Sequence, residues 1–162
     1  MEGLVIRQGR PDDLQEVLRL WVQMVDAHAA LDARLRMRTD AEGQEGMRTY
    51  LQGCLEGGDS RLFVAEVVGH PGLAGYLLGY IRPISPLVVP PTCGYITDLC
   101  VDEPLRRQGI GRELFRAARE WFLERGQTQV RLSVAAANAV GQAFWRAMGF
   151  QELMLQMAME LP

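Results

Sequence analysis

A strand-to-helix junction in the second half of the chain constrains its fold more than any other feature. Residues 95–101 are apolar and typical of a strand, whereas residues 110–124 repeat apolar positions at helical spacing. The junction between the two runs ends in six informative residues, of which the last two begin the helical run: Arg106-Arg107-Gln108-Gly109-Ile110-Gly111. A strand that passes through such a turn into an amphipathic helix indicates an α/β protein.

The junction also has the chemistry of a diphosphate site. The first turn of a helix carries amide N–H groups without intrahelical acceptors and about half a positive charge, so it favours anions. Gly109 and Gly111 lack Cβ atoms and allow a phosphate oxygen to approach the main chain, while Arg106 and Arg107 add charge and bidentate donors. The alternative is an exposed turn, with glycines for conformation and arginines for solubility.

Two better-known phosphate cradles do not fit these residues. A Rossmann fingerprint needs a third glycine where this chain has Leu114, and a P-loop needs a lysine after its last glycine. The chain contains no lysine, because all 17 basic residues are arginine. This composition also excludes a lysine nucleophile or Schiff base.

Residues downstream of the junction add a second signature. Ser133-Val134 is followed by Asn138, then by Phe144-Trp145, and then by Gly149-Phe150. Together with the run Leu99 to Glu103 and the glycine-rich turn, this ordered set resembles the two motifs of the GCN5-related N-acetyltransferase (GNAT) superfamily. Each motif is weak alone, but their order is specific to that superfamily.

The length of 162 residues predicts one domain over residues 1–162, and the pattern of apolar residues predicts a mixed α/β fold. The expected order is β-α-α-β-β-β-α-β-α-β, and the resemblance implies a GNAT-like sheet with a splayed pair of parallel strands. Strands are predicted over residues 4–7, 61–68, 73–81, 94–101, 129–135 and 150–161. Helices are predicted after Pro11, after a capping box at residues 39–42, over residues 110–124 and over residues 138–148.

Composition excludes several classes of protein. Apolar residues make up 48% and charged residues 23% of the chain, no apolar run reaches the length of a membrane span, and the N-terminus has no secretory pattern. A net charge of −3 predicts no nucleic-acid or membrane partner. Three cysteines without C-x-x-C spacing predict neither disulfides nor a metal site, so a cytoplasmic location is expected.

The resemblance implies acetyl-CoA as cosubstrate and assigns residues to it. Its pantetheine arm is expected to lie in the gap between the splayed strands and to pair with main-chain groups of Leu99, Cys100 and Val101, where an amide also polarises the thioester carbonyl. Asn138, Phe144 and Trp145 are expected beside this arm, although Asn138 also suits the N-cap of a helix. The diphosphate is expected on Arg106, Arg107, Gln108, Gly109, Ile110, Gly111 and Arg112.

Catalysis requires a base for the amine and an acid for the departing thiolate. Asp98, one residue before an expected bulge, is the candidate base, with Glu66 as a weaker rival; the other interpretation of Asp98 is a strand-end carboxylate bonded to a nearby N–H. Relatives often carry a tyrosine as the acid where this chain has Trp145, whose indole does not supply a proton in that way. Tyr80, Cys100 or water is the candidate replacement.

These features predict an N-acetyltransferase that transfers acetyl directly from acetyl-CoA to a primary amine of a small molecule or an exposed protein amino group. The alternative is a non-catalytic domain of the same fold that binds acyl-CoA as a sensor. A third class is an unrelated nucleotide-binding α/β protein. The sequence does not specify the amine.

The chain also has a short C-terminal region. Only twelve residues follow Phe150, which is room for one strand, whereas relatives commonly end in a longer hairpin that walls the acceptor groove. An open acceptor site, or one completed by a second subunit, is therefore expected. A homodimer is implied by the resemblance alone.

Overall fold

A computed structural model of the chain describes residues 3–160. The helices are α1 (Leu14–Leu31), α2 (Ala41–Glu56), α3 (Ile110–Glu124) and α4 (Ala139–Ala147). The strands are β1 (Leu4–Gln8), β2 (Ser60–Val67), β3 (Gly75–Pro83), β4 (Thr92–Val101) and β5 (Val130–Leu132). None of the helices in the described range combines the length and hydropathy needed to cross a bilayer.

One mixed sheet organises the molecule. Its order is β1-β2-β3-β4-β5, with antiparallel pairing from β1 through β4 and parallel pairing between β4 and β5. The predicted hairpin of β2 and β3 and the predicted β-α-β unit from β4 to β5 are both confirmed. The fold is the mixed α/β fold that the sequence pattern predicts.

Alternating side chains along the strands build a core on each face of the sheet. Tyr76 and Leu78 of β3 are fully buried against α1 and α2, whereas Leu77 between them is buried against α3. This is the period of two expected for a strand covered on both faces. The amphipathic stripe of α3 covers the second face with Leu114, Ala118 and Phe122.

A bulge in β4 changes which of its side chains share a face. Leu78 pairs with Asp98 and Gly79 pairs with Ile96, so Thr97 is an extra residue. The bulge therefore precedes Asp98, which corrects the expectation that Asp98 lies before it. Because of the extra residue, Tyr95 and Asp98 lie on the same face of the sheet although they are three positions apart.

Three predicted features are wrong, and the other strand boundaries differ from the prediction by at most two residues. The predicted strand 129–135 is shortened to Val130–Leu132 because β4 accompanies it over only three residue pairs. Residues 151–160 form no strand, since no neighbouring strand within the described part of the chain pairs with them; Leu161, the last residue of that prediction, lies outside it. The α2 cap is Asp40 rather than Thr39, because the Asp40 carboxylate accepts from the Gly43 amide at 2.9 Å.

Candidate active site

The parallel strands β4 and β5 separate partway along β4. They pair at Gly94, Tyr95 and Ile96 and no further, while β4 continues for five residues to Val101. Over those five residues one edge of β4 has no neighbouring strand in the described structure. An open edge presents unpaired main-chain groups to which an amide-containing ligand can bind.

The glycine-rich turn follows directly from this open edge. Arg107 and Gly109 both have left-handed backbone angles, with φ of +66° and +87°, and Gly109 is the N-cap of α3. Among the described residues, no backbone acceptor bonds the amides of residues 107–111. A Cβ at Gly109 would meet no atom within 4 Å. The turn therefore offers consecutive amides without backbone acceptors, and Gly109 borders open space, which is an anion-binding arrangement.

The arginines of the turn differ in their surroundings. Arg106 donates from Nε to the Val101 carbonyl at 3.1 Å, so part of its guanidinium is used to hold the end of β4. Arg107 and Arg112 are exposed. Gln108 is also exposed, whereas the Ile110 side chain is buried in the core, so Ile110 has only its main chain available to a ligand.

The side chains of Leu99 and Val101 pack against the core on the α3 face. This packing agrees with the interpretation in which these side chains stabilise the sheet while their backbone borders the gap. Gly111 lies between β4 and α4, because a Cβ there would be in ordinary van der Waals contact, at 3.5 Å, with both Leu99 and Phe144. The turn, β4 and α4 thus meet at one point.

Asn138 lies immediately before α4 and caps that helix. Its Oδ1 accepts from the Gly141 amide at 2.8 Å, so the predicted N-cap is confirmed. Gln142 donates to the carbonyls of Ala135 and Ala136 and fixes the loop between β5 and α4. These local bonds set the position of α4 beside the gap.

Trp145 has a packing role that the sequence did not reveal. Its ring lies 5.7 Å from the Phe115 ring and 5.2 Å from the Phe150 ring, both in edge-on arrangements. Phe144 precedes it and lies 4.9 Å away. Edge-on aromatic pairs add to the stability gained from burial. The indole therefore ties α4 to α3 where relatives often carry a tyrosine.

Asp98 lies on the face of β4 that is covered by α1 and α2. The carboxyl is half-buried, and burial raises its pKa to about 6. The buried Tyr76 hydroxyl lies beside it and partly opposes this rise, although the two groups do not meet at full hydrogen-bond distance. A carboxyl with such a pKa exchanges protons near neutral pH, as a general base must.

Tyrosine side chains lie on the side of the sheet that carries Asp98, and sequence analysis assigned a role only to Tyr80 among them. Tyr80 lies on the same face, and its ring is 5.6 Å from that of Tyr95. Burial raises the pKa of Tyr50 in α2, with further contributions from Cys54, Asp98 and Tyr80. The register of β3 on β4 is the signal that could have identified Tyr95, but the bulge hides it in the sequence.

Cys100 lies on the same face but deeper, under α1. Its thiol donates to the Leu20 carbonyl at 3.3 Å, and burial raises its pKa to about 12. A buried thiol with a raised pKa stays protonated and is a poor nucleophile. This geometry disfavours the predicted participation of Cys100 in catalysis. The Glu66 carboxylate on β2 is also engaged, because it accepts a hydrogen bond of 3.0 Å from Nε of Arg7 on β1.

A buried carboxylate network supports the end of β4, and sequence analysis missed it too. Asp102 accepts from Arg19 and Gln23 of α1, and its Oδ2 lies 3.1 Å from Nε2 of His70 in the β2–β3 turn. Burial alone would raise its pKa, but the hydrogen bonds from Arg19 and Gln23 hold that pKa below its usual value. The network joins three elements immediately before the glycine-rich turn.

The matching family model and a curated relative are both described as acetyltransferases. The family described as "Acetyltransferase (GNAT) family" matches residues 27–150. Thialysine N-epsilon-acetyltransferase of Bos taurus is 27% identical over 167 residues, which cover 94% of this chain and 87% of the relative.

Two solved structures show the same fold. A crystal structure of a mutant protein from Bacillus halodurans has a TM-score of 0.83 at 26% identity and covers 98% of this chain and 99% of its own. An aminoglycoside N-acetyltransferase in complex with CoA has a TM-score of 0.77 at 17% identity, with 98% and 94% coverage.

The matched region contains every element of the site: the tyrosines of α2 and β3, the separating strands, the glycine-rich turn and α4. The match covers most of the chain, and the fold of the solved relatives agrees with it. The chain belongs to the GNAT family of acetyltransferases.

Proposed function

We propose that this protein is an N-acetyltransferase that moves the acetyl group of acetyl-CoA directly to a primary amine of a small molecule or an exposed protein amino group. Acyl transfer from acetyl-CoA follows from the family. Direct transfer to an amine goes further and is supported by Asp98, a carboxyl of raised pKa beside the open edge of β4. The proposal includes a cytoplasmic location and a homodimer.

The residues of the site fit the cosubstrate. Free amides at residues 107–111 and the exposed guanidinium groups of Arg107 and Arg112 would hold the diphosphate. Main-chain groups of Leu99, Cys100 and Val101 along the open edge would hold the pantetheine amides. When bound, acetyl-CoA supplies an activated acyl group and a thiolate leaving group.

Asp98 would accept the proton that the amine must lose. An ammonium group is not nucleophilic, so a base is needed within reach, directly or through one water. Tyr50 and Tyr80 lie on the side of the sheet that carries this carboxyl, whereas the ring of Tyr95 already has the Arg82 guanidinium 4.7 Å from its centre. Aromatic faces and a carboxylate together attract a cation, which suits an amine that arrives as ammonium.

The proton for the departing thiolate would come from Tyr80 or from water. Cys100 is a poor candidate because its thiol is bonded to the Leu20 carbonyl inside the core. Trp145 is packed between Phe115 and Phe150 and has no acidic proton to give. This absence of an acid at the usual position favours one second candidate function, an acyl-CoA sensor without turnover.

Thiol release from acetyl-CoA distinguishes the two functions. The purified protein is mixed with acetyl-CoA and a panel of primary amines, including thialysine, lysine, polyamines, aminoglycosides and a peptide with a free N-terminus. Amine-dependent thiol release supports the transferase. Tight acetyl-CoA binding by calorimetry without thiol release for any amine supports the sensor and contradicts the proposal.

A further inference from the structure

Tyr76 of β3 carries a hydroxyl group that the proposed reaction does not use. Its side chain is fully buried, at 0% exposure, in the core between the sheet and helices α1 and α2. Among the described residues, its hydroxyl oxygen has no hydrogen-bond partner. A buried hydroxyl without a partner costs free energy and is uncommon in folded proteins. A hydroxyl kept in this position therefore indicates a partner that it gains in another state of the site.

The register of the sheet places Tyr76 beside Asp98. Tyr76 pairs with Cys100, and Leu78 pairs with Asp98, so Tyr76 and Asp98 are diagonal neighbours on one face of the sheet. Diagonal neighbours on antiparallel strands are near enough for aromatic and long side chains to meet. Burial and the Tyr76 hydroxyl are the two influences on the pKa of Asp98, and no charged side chain of residues 3–160 is among them.

The other titratable groups on this face are phenols and thiols. They are Tyr50 and Cys54 of α2, Tyr80 of β3 and Cys100 of β4. Tyr50 and Cys54 lie beside each other, and burial raises the pKa of both. The Cys100 thiol already donates to the Leu20 carbonyl. The side chains that α1 adds to this core are apolar. The fully buried hydroxyl of Tyr76 is therefore the donor that an ionised Asp98 can still recruit.

We propose that Tyr76 is a positioning residue that donates a hydrogen bond to the Asp98 carboxyl when this group loses its proton. The inference rests on the proposed function, in which Asp98 is the base for the amine. A carboxylate is a stronger acceptor than a neutral carboxyl, and hydrogen bonds to it are charge-assisted. The bond orients the carboxylate and stabilises its charge, so Tyr76 sets the pH above which the base is active.

Tyr76 keeps its own proton throughout. Burial raises its pKa well above the ordinary value for a phenol, so it acts as a donor to Asp98 and not as an acid in the reaction. The hydroxyl thus has an acceptor when Asp98 is charged and lacks a strong one when Asp98 is neutral. This alternation accounts for a polar atom that is retained in the core without a partner.

The first test measures the titration of Asp98 directly and needs no turnover. The carboxyl-carbon NMR signal of Asp98 is followed from about pH 4 to about pH 9 in the wild type and in Tyr76→Phe, which loses only the hydroxyl. The wild-type midpoint is expected at about 6. The variant midpoint is expected about one pH unit higher, because the carboxylate loses a charge-assisted hydrogen bond. An unchanged midpoint would overturn the proposal.

Two variants control for packing and for the loss of any hydroxyl. Val64 is fully buried and pairs with Tyr76 from β2, so Val64→Ala loosens the packing around the ring but removes no hydroxyl. Tyr95→Phe removes a hydroxyl from the same face, but one that already lies 2.9 Å from Oγ of Ser133. Both variants are expected to keep the wild-type midpoint. A shift in Val64→Ala as large as that in Tyr76→Phe would assign the effect to packing and overturn the proposal.

Urea unfolding at two pH values gives an independent measurement. Near pH 4 the folded-state carboxyl is neutral, and Tyr76→Phe is expected to be about as stable as the wild type, because the hydroxyl it removes has no partner. The folded-state pKa of Asp98 lies above its ordinary value, so the linked stability is lost as pH rises through it, and a higher pKa enlarges that loss. At pH 8 the folding equilibrium constant of the variant is expected to be about tenfold below that of the wild type.

The Asp98→Asn background removes the titrating group from this comparison. In that background the effect of Tyr76→Phe is expected to be equal at pH 4 and pH 8, because an amide does not ionise. An effect of Tyr76→Phe that is independent of pH in the wild-type background, or that still depends on pH in Asp98→Asn, would overturn the proposal.

The pH profile of kcat/KM distinguishes this inference from the proposed function. The acid limb of Tyr76→Phe is expected to move to higher pH by the same amount as the NMR midpoint. A midpoint that moves without the acid limb would contradict Asp98 as the base, whereas an unchanged midpoint would contradict the role of Tyr76. The NMR and urea measurements decide the role of Tyr76 even when no amine is acetylated.

Discussion

The carboxyl of Asp98 sets the acid limb of the pH profile at the residue scale. Burial raises its pKa to about 6, and a base works only when deprotonated. We expect kcat/KM of the wild type to fall about tenfold per pH unit below pH 6. Asp98→Asn is expected to lower kcat/KM at pH 8 by about 100-fold or more and to remove the acid limb. A variant that keeps the wild-type profile would exclude Asp98 as the base.

The deprotonated form of Asp98 that catalysis requires lowers the stability of the folded protein, because the carboxyl is buried. The folded-state pKa lies above the ordinary value of 3.8, so the stability linked to the neutral form is complete below about pH 4 and is lost as pH rises through about 6. Asp98→Asn is therefore expected to raise the free energy of unfolding at pH 8 by on the order of 1–3 kcal/mol. Urea unfolding at pH 8 and pH 4 measures this, and an equal gain at both values would contradict it.

Trp145 occupies the position where many relatives place an acidic hydroxyl. We expect Trp145→Tyr to leave the KM for acetyl-CoA nearly unchanged and to raise kcat, because a phenol can protonate the departing thiolate. Trp145→Phe is the control, since it reduces the packing against Phe115 and Phe150 without adding a hydroxyl. Equal kcat for both variants, measured by thiol release, would show that the position supplies no acid.

At the scale of elements, the turn before α3 requires a left-handed backbone conformation and is also the proposed site of the diphosphate. Gly109 has φ of +87°, which costs an alanine about 1–2 kcal/mol. Gly109→Ala is therefore expected to lower the free energy of unfolding by about that amount and to raise the KM for acetyl-CoA.

Gly46 provides the control for this substitution. It lies inside α2, and a Cβ there meets no atom within 4 Å, so Gly46→Ala is expected to stabilise by about 0.5–1 kcal/mol and leave KM unchanged. Urea unfolding and initial rates measure both effects. A Gly109→Ala variant with the wild-type KM for acetyl-CoA would show that Gly109 does not contribute to cosubstrate binding.

Elements whose signals are local were predictable. The apolar stripe of α3 and the Asn138 cap of α4 depend on residues within a few positions, and the structure has both. The position of the bulge, at Thr97 rather than after Asp98, and the shortness of β5 were not predictable, because each depends on the strand beside it.

At the scale of the whole molecule, Asp102 connects the end of β4 to α1 and to the β2–β3 turn. Asp102→Asn is expected to destabilise the protein by about 1–2 kcal/mol at pH 7, because Arg19, which is 39% exposed and keeps its pair with Glu16, loses one of its two carboxylate partners. Since the pKa of Asp102 is lowered, this stability is present above about pH 4 and is lost as pH falls further.

An exposed ion pair gives the matched control for Asp102. Asp59 pairs with Arg125 at the surface, so Asp59→Asn is expected to change the free energy of unfolding by less than about 1 kcal/mol. Urea unfolding at pH 7 compares the two variants. Equal effects would show that the Asp102 network contributes no more than a surface pair.

The sequence by itself determined the family, the order of all elements except the last, and the glycine-rich turn, because helical periodicity, caps and motifs are properties of neighbouring residues. Tertiary structure decided which side chains meet. It buried Cys100 under α1, packed Trp145 against Phe115 and Phe150, and brought Tyr50 of α2 near Asp98. Within residues 3–160 it also left residues 151–160 without a partner strand, since strand pairing depends on residues far apart in the chain.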